Sequence, residues 1–190
     1  VLMITPVLWF TQTEYATYFE GAQFIHFLLG PATIALALPL WDNRETIGQS
    51  VAPILLALLA GSVTAAGSAI LLAQAFGLST EVILSLAPKS TTAPVALGIS
   101  EAVGGLPALT AVLVILTGII GAVIVTPLMT VLRIKDWRAR GFSVGLASHG
   151  IGTARAFQVN PTAGAYAGIA MALNALLTSI IVPVLVRWLI

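Results

Sequence analysis

The chain contains no cysteine and very little charge. Only 8% of its 190 residues are charged, 8 Lys or Arg and 7 Asp or Glu, whereas a soluble domain averages about a quarter. Without cysteine there are no disulfides, thiolate metal sites or cysteine nucleophiles. The net charge of +1 and the absence of a basic face interleaved with aromatic residues exclude the usual footprint for nucleic acid.

Motifs of intramembrane hydrolysis are missing as well. The sequence has no H-E-x-x-H zinc helix, no G-x-S-x-G nucleophile turn and no paired intramembrane aspartates. We therefore expect no enzyme activity, no cofactor and no metal.

Apolar residues make up 58% of the chain, and the mean hydropathy is +1.04. Four runs without Asp, Glu, Lys or Arg have the length of about 20 residues that crosses a bilayer; they are Gly21–Trp41, Val51–Phe76, Leu106–Leu132 and Pro161–Val186. These runs predict an all-α, polytopic helical membrane protein in which residues 1–190 form one transmembrane domain. The opening run Val1–Phe10 is too short for a span, and we expect an N-terminal segment to be missing before it.

Two further segments, Glu81–Ala102 and Gly141–Asn160, have the length of a span but are interrupted by polar motifs. They predict discontinuous helices or re-entrant hairpins, and the sequence leaves open whether each crosses the membrane or returns. Irregular backbone at membrane depth survives only where protein or a wet cavity satisfies it. A polar cavity is therefore expected between them.

Positive charge is concentrated in the loop before the second interrupted segment. Arg133, Lys135, Arg138 and Arg140 are opposed there only by Asp136. By the positive-inside rule this loop faces the cytoplasm.

The first polar motif is Pro88-Lys89-Ser90-Thr91-Thr92-Ala93-Pro94. The two prolines disfavour regular helix, so Lys89, Ser90, Thr91 and Thr92 are expected to offer free amides and three hydroxyls beside an ammonium group. If a helix begins at Thr92 or Ala93, its N-terminus adds to the attraction for a carboxylate. The alternative is a lysine that snorkels to the membrane surface.

The second motif is Ser148-His149-Gly150-Ile151-Gly152-Thr153-Ala154-Arg155. Gly150 and Gly152 allow the backbone to unwind, and Arg155 has a planar fork suited to a carboxylate. A charge at membrane depth requires a partner. For Arg155 the expected partner is a small organic anion, and the alternative is Glu101. Ser148 and Thr153 are candidates because of their hydroxyl groups, and His149 is the candidate proton carrier.

Three weaker signals accompany these motifs. Gly30-Pro31-Ala32-Thr33 resembles residues 150–153, which is compatible with an internal repeat. Asn174 and Thr178, four residues apart, either line the cavity or bridge helices, and bridging is favoured. Small residues suited to close packing favour a homodimer; they are Gly104, Gly105, Gly118 and Gly121.

Together these stretches resemble the LrgB/CidB family. The resemblance is carried by Phe27–Ala37, Leu86–Thr92, Leu109–Ala111, Arg133–Asp136 with Ala139–Gly141, and Ser148–Ala156. It implies holin- or antiholin-like control of murein hydrolases and cell lysis, or the movement of glycolate, glycerate or pyruvate, as in relatives of plastids and some bacteria. It also implies a small LrgA/CidA-type membrane partner and a bacterial inner membrane.

From the residues and the resemblance we expect a secondary transporter of small monocarboxylates that is proton-coupled and works by alternating access. Lys89 and Arg155 would attract the carboxylate, hydroxyls and backbone of the two motifs would bind its oxygens, and His149 would carry the proton. The alternative is a holin-like regulator of lysis, in which the two cations serve subunit packing.

Overall fold

A computed structural model gives the fold; it describes residues 4–14, 17, 18, 20, 21, 23, 24, 27, 28, 31, 34, 37–42 and 44–190. The chain divides into two compact units, Val1–Ala35 and Leu36–Ile190. In the first unit, helix α1 spans Ile4–Phe10. Much of the predicted span Gly21–Trp41, including Gly30, Ala32 and Thr33 of the possible repeat, lies outside the described residues.

The second unit is helical throughout its described residues, apart from short turns. Its helices are α2 (Ala37–Asp42), α3 (Arg44–Gln49), α4 (Val51–Ala75), α5 (Thr80–Leu86), α6 (Ala93–Val103), α7 (Pro107–Val131), α8 (Trp137–Val159) and α9 (Pro161–Leu189). This confirms the all-α fold class.

Three of these helices, α4, α7 and α9, are long and apolar enough to cross a membrane. They coincide with three of the four predicted spans to within three residues at each end. Each reaches or exceeds the length that hydrocarbon requires because α4 and α7 have 25 residues and α9 has 29. The protein is a polytopic helical membrane protein.

The segment Glu81–Ala102 is broken as predicted, because α5 ends at Leu86 and α6 begins at Ala93. Two tight turns fill the gap, in which the amide of Lys89 donates to Leu86 O and that of Thr91 to Pro88 O, each at 3.1 Å. After α6 the chain returns to the level of α5, since a Cβ built on Gly105 would lie 2.9 Å from Ser85 N.

The break in α8 falls at Ser148 and His149, where His149 takes φ 43° and ψ −137°. A Cβ on Gly152 would lie 2.8 Å from a methyl carbon of Val144, and Val144 packs with Ala156 in one buried cluster. The residues on either side of the break therefore face each other, and the second half of α8 folds back along the first. Re-entry of this hairpin into one face of the membrane stays a prediction.

The first half of α8 lies directly on α9, backbone against backbone. A Cβ on Gly141 would overlap Ala163 O, and one on Gly145 would overlap Ala167 O. Both contacts advance by four residues, so these helices run parallel. Small residues spaced by four permit such close approach in membrane proteins.

Candidate functional site

Asn174 on α9 joins the two interrupted segments. Its Nδ2 donates to Ser90 O at 3.2 Å and to Leu146 O at 3.1 Å. Its Oδ1 accepts from Ser62 at 2.7 Å and from Thr178 at 3.0 Å. The amide is 1% exposed and uses all four of its hydrogen-bonding positions. The helix-bridging interpretation is thereby confirmed for Asn174, whereas the hydrogen bond of Thr178 to Asn174 lies within α9.

The carbonyls that Asn174 binds belong to the two breaks. Ser90 lies in the turn between α5 and α6, and Leu146 lies two residues before the break in α8. A carbonyl released from helix geometry in an apolar setting requires a new donor. One amide nitrogen therefore satisfies a carbonyl at each interruption. It links Ser90 of the first motif to Leu146, two residues before the second motif, and we call this place the junction.

At the first motif, α6 begins at Ala93 with Thr92 as N-cap, as expected for a helix N-terminus aimed at an anion. Lys89 is half-buried and its Nζ donates to Ser90 Oγ at 3.2 Å. Thr91 is 1% exposed, and its Oγ1 has no hydrogen-bond partner within the described part of the chain.

The expectation of free amides in this motif is wrong for two of its four residues. The amides of Lys89 and Thr91 are not free, because both are used in the turns that follow α5. The hydroxyl of Thr91 and the ammonium of Lys89, which has no carboxylate partner among the described residues, remain as the groups available to a ligand.

The tip of the α8 hairpin is buried against α7. Ser148 is 2% exposed and His149 4%, and His149 Nε2 lies 2.9 Å from Val114 O. Because a carbonyl only accepts, Nε2 carries the hydrogen in this bond. Within the same half-helix, Thr153 Oγ1 donates to His149 O at 2.8 Å, and Gly150 lies half-buried near Met171.

Glycines of α7 provide the space for this tip. A Cβ on Gly118 would lie 2.7 Å from His149 Cε1, and one on Gly121 would overlap the Ser148 hydroxyl. From the sequence, these glycines were expected to form a packing face for a homodimer. That use is corrected, because both serve packing within the chain; the homodimer itself stays a prediction.

Arg155 does not join the junction. It is exposed and its Nη1 donates to Gln158 Oε1 at 3.3 Å. It lines a crevice together with Arg140 and Trp137, and neither Lys89 nor its hydroxyl neighbours line that crevice. The alternative ion pair with Glu101 is not seen among the described residues.

A cavity of about 330 Å³ lies between α4, α9 and the first half of α8. It begins at the positive loop, with Asp136 and Arg138 in its lining. The hydrogen bonds that the Arg138 side chain makes to Asp136 hold the pKa of that carboxyl below its ordinary value. Towards the junction a buried apolar cluster closes the path; it consists of Ile54, Leu58, Phe142, Leu146, Ile169 and Ala170.

Almost the whole chain is similar to one protein family. The model of the LrgB-like family matches residues 1–188. The chain belongs to the LrgB-like family. This LrgB-like protein is 35% identical to the uncharacterized protein YwbG of Bacillus subtilis, over 98% of the chain and 85% of that relative. It is also 35% identical to the holin-like protein CidB of Staphylococcus aureus (strain N315), over 91% of the chain and 76% of CidB. No solved structure matches.

Two features of this LrgB-like protein were not predicted from its sequence. The first is the contact of Gly141 and Gly145 with α9, although their G-x-x-x-G spacing is a signal for close helix packing. The second is a buried hydroxyl network in which Thr110 Oγ1 donates to Ser100 Oγ at 2.7 Å and lies 3.0 Å from Ser85 O. That network ties α7 to α5 and α6, and only tertiary proximity reveals it.

Proposed function

We propose that this LrgB-like protein is a secondary transporter of small monocarboxylates such as glycolate, glycerate or pyruvate, and that the junction binds the carboxylate. The observation that supports the proposal is that Asn174 bonds both to Ser90 of the first motif and to Leu146, two residues before the second motif. Broken helices that meet near the middle of a membrane protein form the substrate sites of many transporters.

Lys89 supplies the positive charge at this site, and the unpartnered hydroxyl of Thr91 supplies a hydrogen bond. The N-terminus of α6 adds its dipole, which favours an anion at Thr92. Ser90, Ser148 and Thr153 complete the set of hydroxyls, with Gly150 and Gly152 in the backbone around them. Arg155 as a second carboxylate ligand remains a prediction from the sequence.

The 330 Å³ cavity beside the positive loop offers a route to the junction. By the positive-inside rule the cavity faces the cytoplasm, and the apolar cluster at its inner end separates it from Asn174. Alternating access would require that cluster to part. His149, buried at the hairpin tip, is our candidate for proton coupling.

Lys89→Ala should reduce saturable uptake of radiolabelled glycolate and pyruvate into proteoliposomes at least tenfold, because one charge-assisted bond is worth about 1.5 kcal/mol or more. The measurement uses the full-length protein, alone and with an LrgA/CidA-type partner. The matched control is Lys135→Ala in the exposed loop, which should transport as the wild type does. Wild-type uptake by a folded Lys89→Ala variant would remove Lys89 from the site.

The second candidate function is holin-like control of cell lysis, favoured by the name of the CidB relatives. A holin-like assembly forms lesions or restrains another pore and requires no substrate pocket. Liposomes loaded with carboxyfluorescein separate the two functions. Release of the dye with no saturable uptake supports the holin-like function, and saturable uptake without release supports the transporter.

We propose that the protein lies in the bacterial inner membrane, since the relatives named above are bacterial proteins. A small LrgA/CidA-type protein is the proposed partner, and a homodimer is the proposed assembly.

A further inference from the structure

Two arginines from opposite ends of the α8 hairpin line one crevice. Arg140 lies in the first turns of α8 and Arg155 in its second half, and both border the groove between α7, α8 and α9. The fold-back of α8 brings them together, although 15 positions separate them in the sequence. None of the lining residues carries a carboxylate.

No carboxylate in the lining of the crevice neutralises either guanidinium group. Arg140 donates through Nε to Ile134 O at 2.6 Å and through Nη2 to Thr130 Oγ1 at 3.4 Å, and it lies over the Trp137 ring at 4.9 Å. Within the described part of the chain, Arg155 donates only to the neutral side chain of Gln158. Two guanidinium groups that border one groove without a carboxylate in its lining repel each other, so an anion shared between them is favoured.

The shape and position of the crevice specify the kind of anion. Its internal space is about 20 Å³, which is too little to enclose an organic acid, so the anion must lie at the mouth. The other lining residues are mostly apolar, among them Val125, Met129, Val144 and Val159. Arg140 belongs to the positive loop, at the level of lipid headgroups on the cytoplasmic side.

We infer that Arg140 and Arg155 bind the headgroup phosphate of an anionic phospholipid, whose acyl chains lie along the apolar wall of the crevice. Basic pockets between membrane helices on the cytoplasmic side bind such headgroups, and the fork of an arginine matches two phosphate oxygens. Trp137 beside Arg140 suits the same interfacial level. The inference does not rest on transport, and it gives Arg155 an anion other than the substrate.

The test is the thermal stability of the full-length protein in detergent. It is titrated with phosphatidylglycerol, and in separate arms with phosphatidylcholine, inorganic phosphate and glycolate. A bound ligand raises the melting temperature by mass action. We expect phosphatidylglycerol to raise it by several degrees and the other three to raise it less.

Arg155→Gln should weaken the apparent affinity for phosphatidylglycerol about tenfold, because one charge-assisted contact is lost. Arg140→Lys keeps a charge but loses the fork, and should weaken it as well even if Arg140→Gln does not fold. The matched control is Lys135→Gln in the same loop, which should bind as the wild type does.

Two results would overturn the inference. One is the same response to phosphatidylglycerol in Arg155→Gln as in the wild type. The other is a response to phosphate or glycolate that equals the response to phosphatidylglycerol and depends on Arg155, since the crevice would then bind a soluble anion.

Discussion

Replacing Asn174 with leucine, which has a similar volume, should lower the free energy of unfolding by about 3 kcal/mol and abolish saturable uptake. The variant leaves two hydroxyls and two carbonyls without their partner. An interhelical hydrogen bond in a membrane protein is worth about 0.6 to 2 kcal/mol, and three are lost together with a fourth bond inside α9. The measurement is the midpoint of SDS-induced unfolding in mixed micelles, with uptake assayed in parallel.

Ser179→Ala on the exposed face of the same helix is the matched control. Ser179 bonds only to Leu176 O within α9, and its loss should change the unfolding free energy by less than about 0.5 kcal/mol. Asn174→Asp is the second variant, because a carboxylate cannot donate to Ser90 O and Leu146 O. If Asn174→Leu unfolds at the wild-type midpoint, the junction does not stabilise the two breaks.

Gly145→Ala should destabilise the protein by about 2 kcal/mol or more. The added Cβ would overlap Ala167 O, which is backbone and cannot rotate away. Overpacking of a close contact typically costs about 1 to 3 kcal/mol. The change should appear as a lower midpoint in the same SDS titration, and Gly141→Ala should behave alike because it faces Ala163 O in the same way.

Gly67→Ala in α4 provides the control for this pair. No atom outside its own helix lies within 4 Å of a Cβ at that position, so alanine should be neutral or should stabilise by about 0.5 to 1 kcal/mol through its helix propensity. Equal midpoints for Gly145→Ala and Gly67→Ala would contradict the backbone contact between α8 and α9.

Helix positions were predictable from the sequence to a large extent. Lipid requires about 20 apolar residues in a row, and this requirement alone locates α4, α7 and α9. The existence of the breaks was also predictable, since Pro88 and Pro94 act on the backbone locally, and Gly150 and Gly152 suggested a second break close to them. The position of the second break at Ser148 and His149, rather than at those glycines, depends on packing against α7.

The candidate site was predictable only in its parts. Hydroxyls and cations in two motifs suggested a shared polar region. Nothing local indicated that Asn174 would bond to both Ser90 and Leu146. Arg155 shows most clearly which part of the site the sequence does not determine. Its sequence neighbours associate it with the hairpin tip, whereas the fold-back of α8 places it beside Arg140. Which side chains meet across a reversal of direction depends on the angle of that reversal, and spacing along the chain does not encode it.

The close contact between the first half of α8 and α9 constrains how the protein can move. Because the two backbones are close at Gly141 and Gly145, we expect the first half of α8 and α9 to move as one unit. The contact with α4 is different, because Gly61 there faces only the flexible end of Leu146. We therefore expect relative motion to occur between α4 and the α8–α9 pair, where the hydrogen bond from Ser62 to Asn174 joins the two sides and must break.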